Sequence, residues 1–265
     1  MPNTPASGLP NPQSYDTSAP GTVLDRVTGL MWQQIVDPVN GTFDDAADKC
    51  SRLNLAGHQD WRVPSRVELV SIIDVSVTQP SISSVAFPMT PSDWFWTSSP
   101  AAGDPSSAWY VYFYFGYPKV ELRSNLFKTR CVRTAVPPAV APTREPQYDV
   151  RPTSVRDLGT GLTWQRMVDP DTFDFVAAQH HCAHLKLDGH DDWRVPSMQE
   201  LVTLVDERAS NPTIDSTAFP GTPGEPFWTS SRFGNASKEA WYVYFNKGSA
   251  LYGLHKAASR VRCVR

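Results

Sequence analysis

Asp60-Trp61-Arg62-Val63-Pro64-Ser65 returns 132 residues later as Asp192-Trp193-Arg194-Val195-Pro196-Ser197, unchanged and in the same order. The same shift carries Thr28-Gly29-Leu30 onto Thr160-Gly161-Leu162, Trp32-Gln33 onto Trp164-Gln165, and Asp37-Pro38 onto Asp169-Pro170. It also carries Phe95-Trp96-Thr97-Ser98-Ser99 onto Phe227 to Ser231, Trp109 to Phe113 onto Trp241 to Phe245, and Cys131-Val132-Arg133 onto Cys263-Val264-Arg265. A period this long, matched at Trp, Cys and Pro, denotes a duplicated whole domain and not a solenoid of small units. The copies are placed at 22–134 and 154–265. Between them, 135–153 carries Pro137, Pro138, Pro142, Pro146 and Pro152, which favours an extended, semi-rigid linker. Residues 1–21 read as a Pro- and Ser-rich tail of similar character.

Within a copy, the quoted stretch ends on a helix start. Ser65 stands three residues before Glu68, and Ser197 three before Glu200, each ahead of an apolar run, which is the pattern of a capping box. Leu69, Val70, Ile72 and Ile73 supply the buried face of that helix, answered by Leu201, Val202, Leu204 and Val205. Upstream, Ala46, Ala47, Cys50 and Leu53 fall at helical spacing behind Thr42 and Asp45, and Ala177, Ala178, Cys182 and Leu185 repeat the spacing. Alternation along Trp109 to Phe113 puts Trp109, Val111 and Phe113 on one strand face, assigned to the core, and Tyr110 and Tyr112 on the other. The fold class is α+β, with two helices per copy packed on small, mostly antiparallel sheets.

Composition narrows the function classes. Nine Trp, twelve Phe and nine Tyr argue for packed globular domains despite 24 prolines. A formal net charge of −3 and a pI near 6.1 give no overall basic field, so neither nucleic acid nor an anionic membrane is expected as partner. No apolar run is long enough to span a bilayer, so membrane insertion is not expected, and no secretory signal is visible in the first residues.

Each copy holds two cysteines, one on its first helix and one on its closing strand. The economical pairing is Cys50 with Cys131 and Cys182 with Cys263, which implies an oxidising compartment. Free thiols or metal ligation are the competing reading, although no Cys-x-x-Cys pair is present to close a zinc site.

The ordered set Thr-Gly-Leu-x-Trp-Gln, a helical Cys, Asp-Trp-Arg-Val-Pro-Ser-x-x-Glu-Leu, Phe-Trp-Thr-Ser-Ser, Trp-Tyr-Val-Tyr-Phe and Arg-Cys-Val-Arg resembles the Lcl C-terminal domain family over 28–133 and 160–265. The resemblance implies a C-type-lectin-like fold related to that of the formylglycine-generating enzyme, in exported or surface bacterial proteins, with adhesins that bind sulfated glycans among the relatives. It also implies a disulfide from first helix to last strand, where the four cysteines stand. The Glu-Pro-Asn and Trp-Asn-Asp motifs of calcium-dependent lectins are missing from the sequence, as is a collagen-like stalk. No cofactor and no metal are expected.

Candidate ligand-binding residues lie in the closing segments. Lys119 to Arg133 holds five basic residues against Glu121, and Lys247 to Arg265 holds five with no acid. Lys119, Arg123 and Lys128 near Tyr112, Tyr114 and Tyr117 in copy one, and Lys247 and Lys256 near Tyr244, Asn246 and Tyr252 in copy two, combine cations with stacking faces. Trp94 joins them as the tryptophan without a counterpart, copy two having Glu225-Pro226 at that bend. The structural alternative makes Arg130, Arg133, Arg262 and Arg265 partners of carboxylates such as Asp60 and Asp192. His180 and His184 have the i, i+4 spacing of metal ligands but no third ligand in view, so exposed helix histidines are expected. Ser98-Ser99 and Ser230-Ser231 lack a recurring histidine and acid, so turn or strand-end hydrogen bonding is expected of them.

The resulting expectation is a secreted, periplasmic or cell-surface binding or adhesion protein that recognises a glycan or surface protein and is not an enzyme. Two linked copies would add avidity if both engage. The alternative is a structural or protein-interaction module of an envelope or appendage assembly. An enzyme related to formylglycine generation would require reactive thiols.

Overall fold

The computed structural model describes residues 1–135, 148–234 and 238–265. The chain divides into two compact units, Met1–Val140 and Ala141–Arg265. In the first, β1 (Tyr15–Asp16), β2 (Thr22–Asp25), β3 (Leu30–Gln33), α1 (Phe43–Ser51), α2 (Arg66–Ser71), β4 (Trp94–Ala101), β5 (Asp104–Tyr112), β6 (Tyr117–Leu122) and β7 (Val132–Thr134) follow in order. They make an antiparallel four-stranded sheet, β1-β2-β3-β7, and a three-stranded meander, β4-β5-β6. In the second, β8 (Tyr148–Val150), β9 (Ser154–Asp157), β10 (Thr163–Gln165), α3 (Phe175–His184), α4 (Met198–Val202), β11 (Pro226–Arg232), β12 (Glu239–Tyr244) and β13 (Ser249–Leu254) repeat the plan. The closing segment lies beside β10, with a bridge from Trp164 to Val264 and backbone hydrogen bonds between Thr163 and Arg265. The class is α+β, as expected.

The repeated hexapeptide owes its constancy to the helix start it builds. The Ser65 hydroxyl accepts the Glu68 N–H at 3.3 Å, and the Glu68 carboxylate accepts the Ser65 N–H at 2.8 Å. Ser197 and Glu200 do the same at 3.0 and 2.9 Å. Arg62 of the motif then grips both Glu68 oxygens at 2.6 and 2.7 Å, and Arg194 grips Glu200 at 2.7 and 2.8 Å, so each cap is clamped by a bidentate pair. One more orphan helix donor is met by the serine pairs: Ser99 Oγ accepts from Arg66 N at 3.1 Å and Ser231 Oγ from Met198 N at 3.0 Å. The serines therefore hold helices. Because the second box is almost fully buried, Ser197→Ala is expected to cost copy two about 1–2 kcal/mol in chemical denaturation. A loss below ~0.5 kcal/mol would show that the box is dispensable.

Disulfides Cys50–Cys131 and Cys182–Cys263, each with Cα atoms 5.5 Å apart, join first helix to closing segment, and no cysteine among the described residues is free. Each sits in a buried cluster, with Trp61, Trp96, Tyr110 and Phe127 in copy one and Trp193, Trp228 and Val261 in copy two.

Three expectations are corrected. Residues 1–21 are no tail: Asn3 is buried, β1 pairs with β2, and the Gln13 side chain donates to the Ser71 and Ile73 carbonyls at 3.0 and 2.8 Å. Tyr15 packs edge-on to Phe87 at 5.2 Å, and Tyr148 does the same to Phe219 at 5.2 Å, so 148–153 belong to copy two and not to the linker. The rest of the expected linker, 136–147, lies outside the described residues. Second, the Tyr110 face of the central strand is not an outer face. Tyr110 is 4% exposed because it meets the disulfide cluster, while Trp109 on the other face lies under the Arg66 guanidinium at 5.1 Å.

Third, among the described residues Arg130 and Arg262 bind no carboxylate. Each is fully buried and donates to two backbone carbonyls and a threonine hydroxyl: Gln33, Gln34 and Thr90 at 2.5, 2.7 and 2.7 Å, and Gln165, Arg166 and Thr222 at 2.6, 2.7 and 2.6 Å. Phe87 and Phe219 lie 4.8 and 4.7 Å from the two guanidiniums. Burial lowers both pKa values to about 9, which leaves the groups charged at neutral pH. Arg133 and Arg265 do pair as expected, with Asp60 and Asp192, each at 2.7 Å.

Candidate ligand-binding site

The β4-β5-β6 register sets Trp94 opposite Tyr112, and Tyr112 opposite Tyr117. Directly opposed residues share a face, so three rings lie abreast across the meander. The β5–β6 turn adds Tyr114 and Phe115, and its geometry depends on Gly116. That residue has φ +87°, and a Cβ there would stand 2.6 Å from Ile73 Cγ2.

The result is a continuous run of rings. Phe127 leans on Trp94 at 5.5 Å, and Trp94 stacks on Tyr112 at 5.3 Å and 22°. Tyr112 stacks on Tyr114 at 5.7 Å and 20° and meets Tyr117 edge-on at 5.6 Å. Phe115 closes the run against Tyr114 at 4.4 Å and Tyr117 at 6.3 Å. Trp94 is 41% exposed and the tyrosines are half-buried. Burial, with Tyr114 and Asp93 nearby, raises the Tyr112 phenol above its ordinary value and keeps its hydroxyl protonated.

Of the three expected cations, Lys119 alone projects free on this side. It stands opposite Tyr110, is exposed, and has no ion pair or hydrogen bond among the described residues. Arg123 is held by Asp44 at 2.5 Å with its guanidinium 4.4 Å over Phe43, and the Lys128 ammonium donates to the Pro38 carbonyl. These two tie the closing segment to the loop and helix before it.

Copy two arranges its expected residues differently. Tyr244, Asn246 and Lys247 stay together at the β12–β13 turn, with Asn246 donating to the Tyr244 hydroxyl at 3.4 Å. Tyr252 stands opposite Trp241 on the other face of the hairpin, stacked on Phe233 at 3.7 Å and 12°. Lys256 is exposed beyond the strand end. Where copy one has Arg123 over Phe43, copy two stacks His255 on Phe175 at 4.2 Å. At the place of Lys128, Arg260 binds Glu225 at 2.7 Å.

Five of the six ring positions of copy one are filled otherwise in copy two: Trp94, Tyr114, Phe115, Tyr117 and Phe127 become Pro226, Asn246, Lys247, Ser249 and Ser259. Phe115 and Phe127 were missed by sequence reasoning. The test that singled out Trp94, an aromatic residue without a counterpart 132 positions on, finds both when applied to every ring.

His180 and His184 are exposed and stacked on each other at 3.9 Å, the second ring nitrogen 2.8 Å from the His180 carbonyl. Among the described residues no group of three or more His, Cys, Asp or Glu converges as a metal site, and no helix is long and apolar enough to cross a membrane.

The family model described as the Lcl C-terminal domain matches residues 21–133 and again 153–265. No curated protein matches the chain.

Proposed function

From the premise that the chain belongs to the Lcl C-terminal domain family, in two copies, we propose that it is a secreted, periplasmic or cell-surface binding protein whose lectin-like first copy recognises a glycan on the Trp94 ring surface. One observation carries the reading. Copy two builds an equivalent buried cluster, caps and bridge without Trp94, Tyr114, Phe115 and Tyr117, so the fold does not require these partly exposed rings, which are left to serve something else.

The chemistry suits a sugar. Aromatic faces carry a negative quadrupole that attracts the C–H bonds on the apolar face of a pyranose, while phenol hydroxyls and the Lys119 ammonium reach its oxygens. Two bridged cysteine pairs support an oxidising compartment outside the cytosol. With all four sulfurs bridged, no thiol stands ready for formylglycine-type chemistry, which supports a non-enzymatic role. Because copy two lacks the ring run, avidity from two identical sites is not part of the proposal.

The test is a glycan array probed with the whole chain and with Trp94→Ala. The expected result is a defined set of bound glycans and at least a tenfold weaker affinity in the variant, about 1.4 kcal/mol. An empty array, or a variant that binds as the parent does, would sink it. Recovery of a stoichiometric protein partner whose capture ignores Trp94 would favour the interaction-module alternative instead.

A further inference from the structure

The two copies treat one acidic turn differently. In copy two, the Arg208 backbone N–H donates to Asp206 Oδ1 at 2.9 Å, and its guanidinium sits on both carboxylate oxygens at 3.0 and 3.2 Å. The corresponding residues of copy one are Asp74 and Ser76. There the Ser76 N–H and hydroxyl both go to Asp74 Oδ1, at 2.9 and 2.6 Å, and Asp74 Oδ2 has no partner among the described residues. The turn is kept without its cation.

Beside that carboxylate lies a pocket of about 440 Å³ whose lining includes Gln13, Tyr15, Asp74, Val77, Pro80 and Val85, and no basic residue. The Tyr15 hydroxyl is buried and has no hydrogen-bond partner among the described residues. Burial, and then the Asp25 and Asp74 carboxylates, raise its pKa well above the ordinary value, with the Arg130 guanidinium opposing them. The Gln13 amide nitrogen donates to the Ser71 and Ile73 carbonyls, which leaves its oxygen as a further acceptor. Acceptors and a negative field favour a positively charged donor, and Val77, Pro80 and Val85 offer an apolar wall to the stem that carries it.

Copy two shows that such a framework accepts a guanidinium. The Tyr148 phenol is raised there by burial and then by Asp157, Asp215 and Asp206, with Arg262 opposing, which repeats the surroundings of Tyr15. Asp215, which replaces Ser83, accepts the Thr217 and Ala218 N–H groups at 2.8 and 3.1 Å. The buried arginine therefore does not keep a second guanidinium off the turn carboxylate.

We propose that this pocket of copy one takes the guanidinium of an arginine side chain from a partner polypeptide, bound at Asp74 in the role that Arg208 fills within copy two. A planar guanidinium suits the place because its paired donors match carboxylate geometry. The volume lies within the roughly 300–1,000 Å³ of pockets that enclose small ligands, enough for one long side chain. The site is independent of the Trp94 surface and can fail while that reading stands.

The experiment titrates the isotope-labelled full chain with Nα-acetyl-arginine amide, followed by backbone amide NMR, with the blocked citrulline and lysine analogues and free arginine alongside. Expected are saturable shifts at Tyr15, Asp74 and Ser76, none at Tyr148, Asp206 and Arg208, and affinity at least tenfold weaker in Asp74→Asn. Ser76→Arg is expected to abolish binding, since the chain then supplies its own guanidinium as copy two does. Shifts that never saturate, a citrulline or lysine probe that binds as tightly, or a Ser76→Arg variant that binds as the parent does would overturn the proposal. Binding of free arginine but not of the blocked form would assign the pocket to the amino acid and overturn the polypeptide partner. The dispersion of the variant spectra reports that copy one remains folded.

Discussion

Replacing Cys50 and Cys131 together by alanine is expected to destabilise copy one by about 4.5 kcal/mol and to lower its melting transition by on the order of 15 °C. The bridge spans 81 positions, and closing a loop of that length removes chain entropy from the unfolded state, which sets this magnitude on the loop-closure relation. The paired change Cys182→Ala/Cys263→Ala carries the same separation and is expected to act equally on copy two. Differential scanning calorimetry of parent and variants checks both, each variant moving one of two transitions. A variant that melts with the parent would show that the sulfurs do not restrain the unfolded chain.

The second large effect is expected at Arg262. Changing it to methionine preserves much of the side-chain volume but removes the donors that satisfy the Gln165 and Arg166 carbonyls and the Thr222 hydroxyl, all around a fully buried group. Buried acceptors left without a donor cost about 1–3 kcal/mol each, and the lost contact with Phe219 adds to this, giving about 3–5 kcal/mol overall. Arg262→Lys is expected to recover only part of the loss. An ammonium is a point donor, whereas here one guanidinium nitrogen serves two carbonyls and another the hydroxyl. Urea denaturation followed by Trp fluorescence reads the difference, and full stability in the lysine variant would show that charge alone suffices.

Arg262 also illustrates where sequence reasoning stops. A cation beside acids in a sequence invites pairing with them, and Arg265 with Asp192 rewards that reading. Arg262 does not, because its partners are main-chain carbonyls, which every residue carries and no sequence marks. The duplication, the boxes at Ser65 and Ser197, and the helix-to-closing-segment sulfur pairs were legible because each depends on residue identity at fixed spacing. Strands β1 and β8 were hidden by one inserted residue: Tyr15-Asp16 returns as Tyr148-Asp149 at an offset of 133, inside stretches rich in Pro and Ser.

The binding surfaces were half legible. Tyr112, Tyr114 and Tyr117 were grouped by proximity along the chain and Trp94 was added for lacking a counterpart, and the meander does bring the four together. Tyr244 and Tyr252 were grouped by the same reasoning, yet strand alternation sends them to opposite faces.

The paired buried guanidiniums, each gripping two carbonyls and a threonine hydroxyl within its own half, have a corollary for engineering. An interior anchored by matching internal contacts leaves the rim free to differ, and one half carries a run of rings at positions where the other has Pro226, Asn246, Lys247 and Ser249. A graft follows directly: Pro226→Trp with Asn246→Tyr and Ser249→Tyr would transplant much of one rim onto the other's chassis.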